Sequence, residues 1–141
     1  MTRFDGKASL AVGIGLACAA LAGTARAGGD EGKGTSLADE KAAVKTAVLR
    51  AEDTLQRLLG ELESTLPPPA WSALKAAQER WEQFTASDCA WQRGMFEDGS
   101  AAGLVQGQCL EAHVGQRIED LKLFLCEGYG MTGPCEASEK Y

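Results

Sequence analysis

Residues Val44–Pro69 read VKTAVLRAEDTLQRLLGELESTLPPP. Within them Val44, Val48, Ala51, Leu55, Leu58 and Leu62 recur at steps that alternate between four and three. That spacing lays one apolar stripe along a helix. Lys41, Lys45, Glu52, Asp53 and Glu63 supply the charge of the opposite, solvated face. Just upstream, Ser36-Leu37-Ala38-Asp39 fits a capping box: a hydroxyl to accept from a free backbone N–H, and an acid in the first turn. The pattern predicts a helix over 37–65. Leu66-Pro67-Pro68-Pro69 must end it, because prolines remove donors and push the residue before them out of the helical region. Pro69 suits the first turn of a next helix.

Working outward, a second helix is expected over about 70–91. Trp71, Leu74, Ala77, Trp81, Phe84 and Trp91 form its expected apolar stripe, with all three tryptophans on it. Gly94 breaks this helix, and Met95 to Gly99 read as a loop. Ser100 can cap a third helix over about 101–125, with a stripe of Leu104 or Val105, Leu110, Val114, Ile118, Leu121 and Leu125. Gly103, Gly107 and Gly115 weaken that helix by ~1 kcal/mol each relative to Ala, so packing or a cross-link must compensate. No run alternates as a strand would. The expected fold class is all-α: a three-helix, disulfide-stapled domain, made of a helical hairpin plus a third helix.

Residues 1–27 read as a signal peptide. Arg3 and Lys7 give a positive start, Ala8 to Gly23 an uncharged run of small residues, and Ala25-Arg26-Ala27 a cleavage pattern. The run is too short and weakly apolar for a membrane span. Cleavage is predicted after Ala27, releasing a periplasmic or secreted protein. The rival reading takes Cys18 as a lipid acceptor, but Gly15 stands where such signals place Leu, Val or Ile. Residues 28–35 are expected to be a flexible leader, and 36–141 the helical domain with a C-terminal disulfide loop.

Cleavage changes the cysteine count. The chain has five cysteines, and the mature part keeps Cys89, Cys109, Cys126 and Cys135. An even number in a small exported domain reads as two disulfides. Four cysteines allow three pairings. The locally closed one, Cys89–Cys109 with Cys126–Cys135, is expected because the turn near Gly94–Ser100 brings the first pair together. No C-x-x-C is present, and the single histidine, His113, follows Cys109 by four positions. No metal and no cofactor are expected.

The full chain of 141 residues carries a net charge of −6. The signal segment takes a net +2 with it, leaving −8 on the mature part. Such a chain has no general attraction to a phosphate backbone, so nucleic acid is excluded as a generic partner. Aromatics make up 6% of the residues, which excludes a large aromatic core. No G-x-S-x-G, H-E-x-x-H or phosphate-cradling loop occurs in the mature part. Glu119 and Asp120 are adjacent, and Glu79 and Glu82 fall on a solvated face, so no carboxylate pair is placed for hydrolysis. The expectation is a protein that is not an enzyme. Asp88 interrupts the second helix's stripe. It is expected to pair with Arg117 as a structural ion pair, or to cap the irregular end of that helix.

Ala76 to Phe84 (AAQERWEQF), then Asp88-Cys89, Gly99-Ser100, Cys109-Leu110, Arg117 and Leu121 resemble the domain of LprI-type lysozyme inhibitors. That family's pattern is W-x-x-[YF]-R-x-x-[ED]-C, a Gly-Gly-Ser turn, and C-L-x-x-x-x-x-x-R-x-x-x-L. The likeness covers Val48 to Leu125. Thr85 stands where the family has Arg, so no contact made by that arginine carries over. Asp98-Gly99-Ser100 replaces the double glycine, and the Cys126/Cys135 loop lies outside the likeness. The resemblance implies an exported, disulfide-linked helical domain, with lysozyme as the implied partner. Many lysozymes are strongly basic, and an acidic protein would be steered to them. Two segments are expected to make the contact: the turn with Glu97, Asp98 and Ser100, and the cross-linked loop carrying Tyr129. The alternative is a non-catalytic envelope module that docks another exported protein.

Overall fold

The computed structural model describes residues 35–97 and 99–141. The expected signal peptide, and the leader apart from Thr35, lie outside the described residues. Three helices follow in order: α1 (Leu37–Thr65), α2 (Pro68–Gly94) and α3 (Ala102–Lys122). Short 3-10 turns follow at Leu123–Leu125 and Ser138–Lys140, and the described residues contain no strand.

The ends of α1 have local causes. Ser36 Oγ accepts from the Asp39 N–H at 3.2 Å, and the Asp39 carboxylate accepts from the Ser36 N–H at 3.3 Å. Asp39 and Glu40 stand at the positive end of the helix dipole. At the other end Leu66 is extended (φ −77, ψ 144), as a residue before proline must be. Pro68 and Pro69 then open α2, where their missing N–H groups would have had no partner anyway.

Two different seams hold the helices. The seam between α1 and α3 is apolar: Leu55, Leu58, Leu59 and Leu62 pack against Val114, Ile118 and Leu121. Each such buried side chain contributes ~1.5–3 kcal/mol relative to exposure. The two helices approach closely at Gly107, where a Cβ would sit 2.6 Å from Val44 Cγ1. Of the three glycines in α3, this is the one that close approach requires. Gly103 and Gly115 face open space.

The seam between α2 and α3 is covalent and polar. Cys89 is bonded to Cys109, with their Cα atoms 5.5 Å apart. This seam rotates α2 away from the expected stripe. Phe84 and Trp91 are 59% and 64% exposed, while Gln78, Thr85 and Cys89 are buried. The disulfide turns the face carrying Cys89 toward α3, and Thr85 and Gln78, one and three turns away on that face, follow it inward. Trp71, Leu74 and Trp81 remain packed against the core at its edge.

The chain enters α3 differently from expectation. Its cap is Ala101, already helical (φ −82, ψ −17), and no side chain caps it. Ser100 stands one residue too early in a run of turns. Beyond α3, Cys126 is bonded to Cys135 with their Cα atoms 5.8 Å apart. Gly128, Tyr129, Gly130 and Gly133 all have positive φ inside that loop. The chain end is latched to α1. Tyr141 Oη donates to Glu61 Oε2 at 2.7 Å, and Lys140 Nζ to Glu61 Oε1 at 3.1 Å. These two hydrogen bonds hold the Glu61 carboxyl below its ordinary value of 4.5.

Candidate functional site

The disulfide sets the antiparallel register of α2 on α3, and with it every polar contact in that seam. Arg117 lies eight residues beyond Cys109, so it falls opposite Trp81, eight residues before Cys89. Its guanidinium carbon stands 5.6 Å from the Trp81 ring centroid, and its Nε donates to Gln78 Oε1 at 3.0 Å. Burial pushes the Arg117 guanidinium below its ordinary value, and Asp120 partly offsets this.

Asp88 therefore does not pair with Arg117. It sits two turns away, opposite His113, whose Nε2 lies 2.8 Å from Asp88 Oδ2. Gln92 Nε2 donates to the same oxygen at 3.0 Å. The Phe84 ring meets the His113 ring edge-on, with centroids 5.6 Å apart. Counting outward from the bridge puts Arg117 opposite Trp81, seven residues from Asp88, which excludes the expected pair.

Asp88, Cys89, Cys109 and His113 bring their ligand-type atoms within 4.8 Å of one another. Metal coordination needs thiolates, and here the two sulfurs are bonded to each other. In this oxidised state the group is a cross-link flanked by a hydrogen-bonded carboxylate–imidazole pair.

The expected contact residues fall into two separate places. Glu97 is exposed at the α2–α3 turn with φ 48, and Ser100 is exposed three residues on. Asp98 lies outside the described residues. This turn also exposes Trp91, Met95 and Phe96. Tyr129, 52% exposed with φ 51, belongs to the opposite end of α2. There it borders a cleft of about 230 Å³ lined by Leu66, Ala70, Leu74 and Phe124. Met131, 90% exposed, is in the same loop. At 1.5 Å of rise per residue, Leu74 and Met95 stand roughly 30 Å apart along α2. The fold does not bring Glu97 and Tyr129 into one site.

No helix among the described residues is long and apolar enough to cross a membrane. The sequence model of one family, described as Lysozyme inhibitor LprI, matches residues 30–121. The match takes in α1, α2, the Cys89–Cys109 bridge and nearly all of α3, and stops before Cys126. No curated protein and no solved structure matches the chain.

Proposed function

The chain belongs to the LprI lysozyme-inhibitor family, and on that premise we propose that it is an exported, non-catalytic protein that inhibits a lysozyme by covering its substrate cleft. The family match along all three helices is the observation that carries this reading.

Two physical features support it. The net charge of −6, or −8 after cleavage at Ala27, favours encounter with a basic enzyme and makes the on-rate fall with salt. The Tyr129 loop supplies an exposed, cross-linked element. The Cys126–Cys135 bridge closes it, and Tyr129 stands between two glycines in left-handed backbone. A loop ordered before binding loses little conformational entropy when it enters a cleft. Tyr129 is proposed as the inserting side chain. Glu97, Asp98 and Ser100 are proposed as a second contact at the far end.

The test is bacterial lysis by a panel of basic lysozymes, with the mature, oxidised protein in micromolar excess. Inhibition is expected, and Tyr129→Ala should weaken it at least tenfold, a ~1.4 kcal/mol loss. Unchanged lysis across the panel would sink the inhibitor reading. Co-purification with another exported protein would then favour the envelope-module alternative.

A further inference from the structure

The third pair of helices leaves a surface between the two seams. α1 and α2 scarcely touch, so a groove runs between them with α3 as its floor. Its main compartment, about 350 Å³, is walled by Leu55, Trp81, Leu110 and Val114, with Glu52 on one side and Glu82 on the other. No lysine or arginine lines it. Among the described residues, neither Glu52 nor Glu82 forms a salt bridge.

Thr85 lines the same compartment and is only 4% exposed. Its Oγ1 is buried and has no hydrogen-bond partner. Three other helical hydroxyls are partnered. Thr46, Thr54 and Ser87 each donate to the carbonyl four residues back, at 2.9, 3.0 and 2.9 Å. An unpartnered buried hydroxyl is costly, and a bound polar group relieves that cost.

We propose that this groove is a binding site for an arginine side chain presented by a partner protein. The apolar walls match the side chain's methylenes. Glu52 on α1 and Glu82 on α2 border the compartment without a salt bridge among the described residues, and Glu82 accepts only from the neutral Gln78 Nε2, at 3.3 Å. The guanidinium, with its planar fan of donors, can address both acids at once, and the Thr85 hydroxyl offers an acceptor behind them. An ammonium has fewer donors and is more strongly hydrated, which favours arginine over lysine. The site is distinct from the Tyr129 loop and the Glu97 turn, and does not depend on lysozyme being the partner.

The experiment is a titration of the mature, oxidised protein followed by two-dimensional amide NMR. The probe is a blocked Ala-Arg-Ala peptide. Its control replaces arginine by citrulline, which keeps the shape and loses the charge. Saturable shifts are expected at Glu52, Leu55, Glu82 and Thr85, with the citrulline peptide binding roughly tenfold more weakly. Glu52→Gln with Glu82→Gln changes two exposed side chains, so the fold is retained, and should also weaken binding about tenfold. Thr85→Arg should abolish binding by filling the compartment. Equal binding of the two peptides, shifts confined to other surfaces, or unchanged affinity in the double Gln variant would each overturn the proposal. Tighter binding of free arginine than of the blocked peptide would overturn a protein as the source.

Discussion

Replacing Gly107 by Ala sets two opposing effects against each other at one position. A glycine-to-alanine change inside a helix contributes ~1 kcal/mol of stability through backbone entropy. At Gly107 the new Cβ would meet Val44 Cγ1 at 2.6 Å. Carbon atoms rest at about 3.5–4.0 Å, so roughly 1 Å must be found. Val44 cannot supply it by rotation, because a β-branched side chain in a helix is held to one χ1 well. α1 must move off α3, and overpacking of this kind costs ~1–3 kcal/mol. The expected net change is a loss of about 1 kcal/mol, read as a lower urea midpoint at constant slope with both disulfides intact. Gly115→Ala, with nothing within 4 Å of its Cβ, should instead gain about 1 kcal/mol. Val44→Ala should rescue Gly107→Ala, giving a coupling of ~1–2 kcal/mol in a double-mutant cycle. Equal stabilisation by both glycine substitutions, with no coupling to Val44, would refute the close approach of α1 and α3.

Three further outcomes are expected. Replacing Cys89 and Cys109 together by Ala should lower stability by ~3 kcal/mol, since the bridge closes a sequence separation of 20; an unchanged denaturation midpoint would contradict this. Arg117→Gln should cost ~1–2 kcal/mol through its Gln78 and Trp81 contacts, yet show no coupling to Asp88→Asn, whereas His113→Ala and Asp88→Asn should be coupled. The Glu61–Tyr141 latch should be confined to a pH window. The lowered Glu61 pKa means its contribution is present above 4.5 and lost as pH falls through the folded value. Tyr141 is raised above 10.0, chiefly by its hydrogen bond to Glu61, so its contribution is present below 10.0 and lost as pH rises through the folded value. Amide exchange over Cys135–Tyr141 measures this, and Glu61→Gln should remove the acid limb.

The legible parts of the fold are those with local causes. The capping box at Ser36–Asp39 and the prolines after Leu66 bound α1 at Leu37–Thr65, as its spacing predicts. The locally closed cysteine pairing is the one found. The α2 face was less legible, because its large apolar residues do not mark it. Trp91 and Phe84 are exposed, and a glutamine, a threonine and a cysteine turn inward. The Asp88–Arg117 pair was misplaced for a related reason. Charge suggests a pairing, but only the register set by the bridge decides which residues meet.

What the sequence determined by itself is the three helices, the bounds of α1, the use of four cysteines as cross-links and the likeness to a lysozyme-inhibitor family. Each of these rests on residues close in sequence or on a pattern in chain order. Tertiary structure alone decided that Asp88 meets His113 and that Glu97 and Tyr129 lie at opposite ends of α2. It also decided that α1 and α2 part to leave an acidic groove beside the unpartnered Thr85 hydroxyl. These features depend on how rigid helices cross and in what register. One disulfide and one apolar seam set that geometry over tens of residues, beyond the reach of any local periodicity.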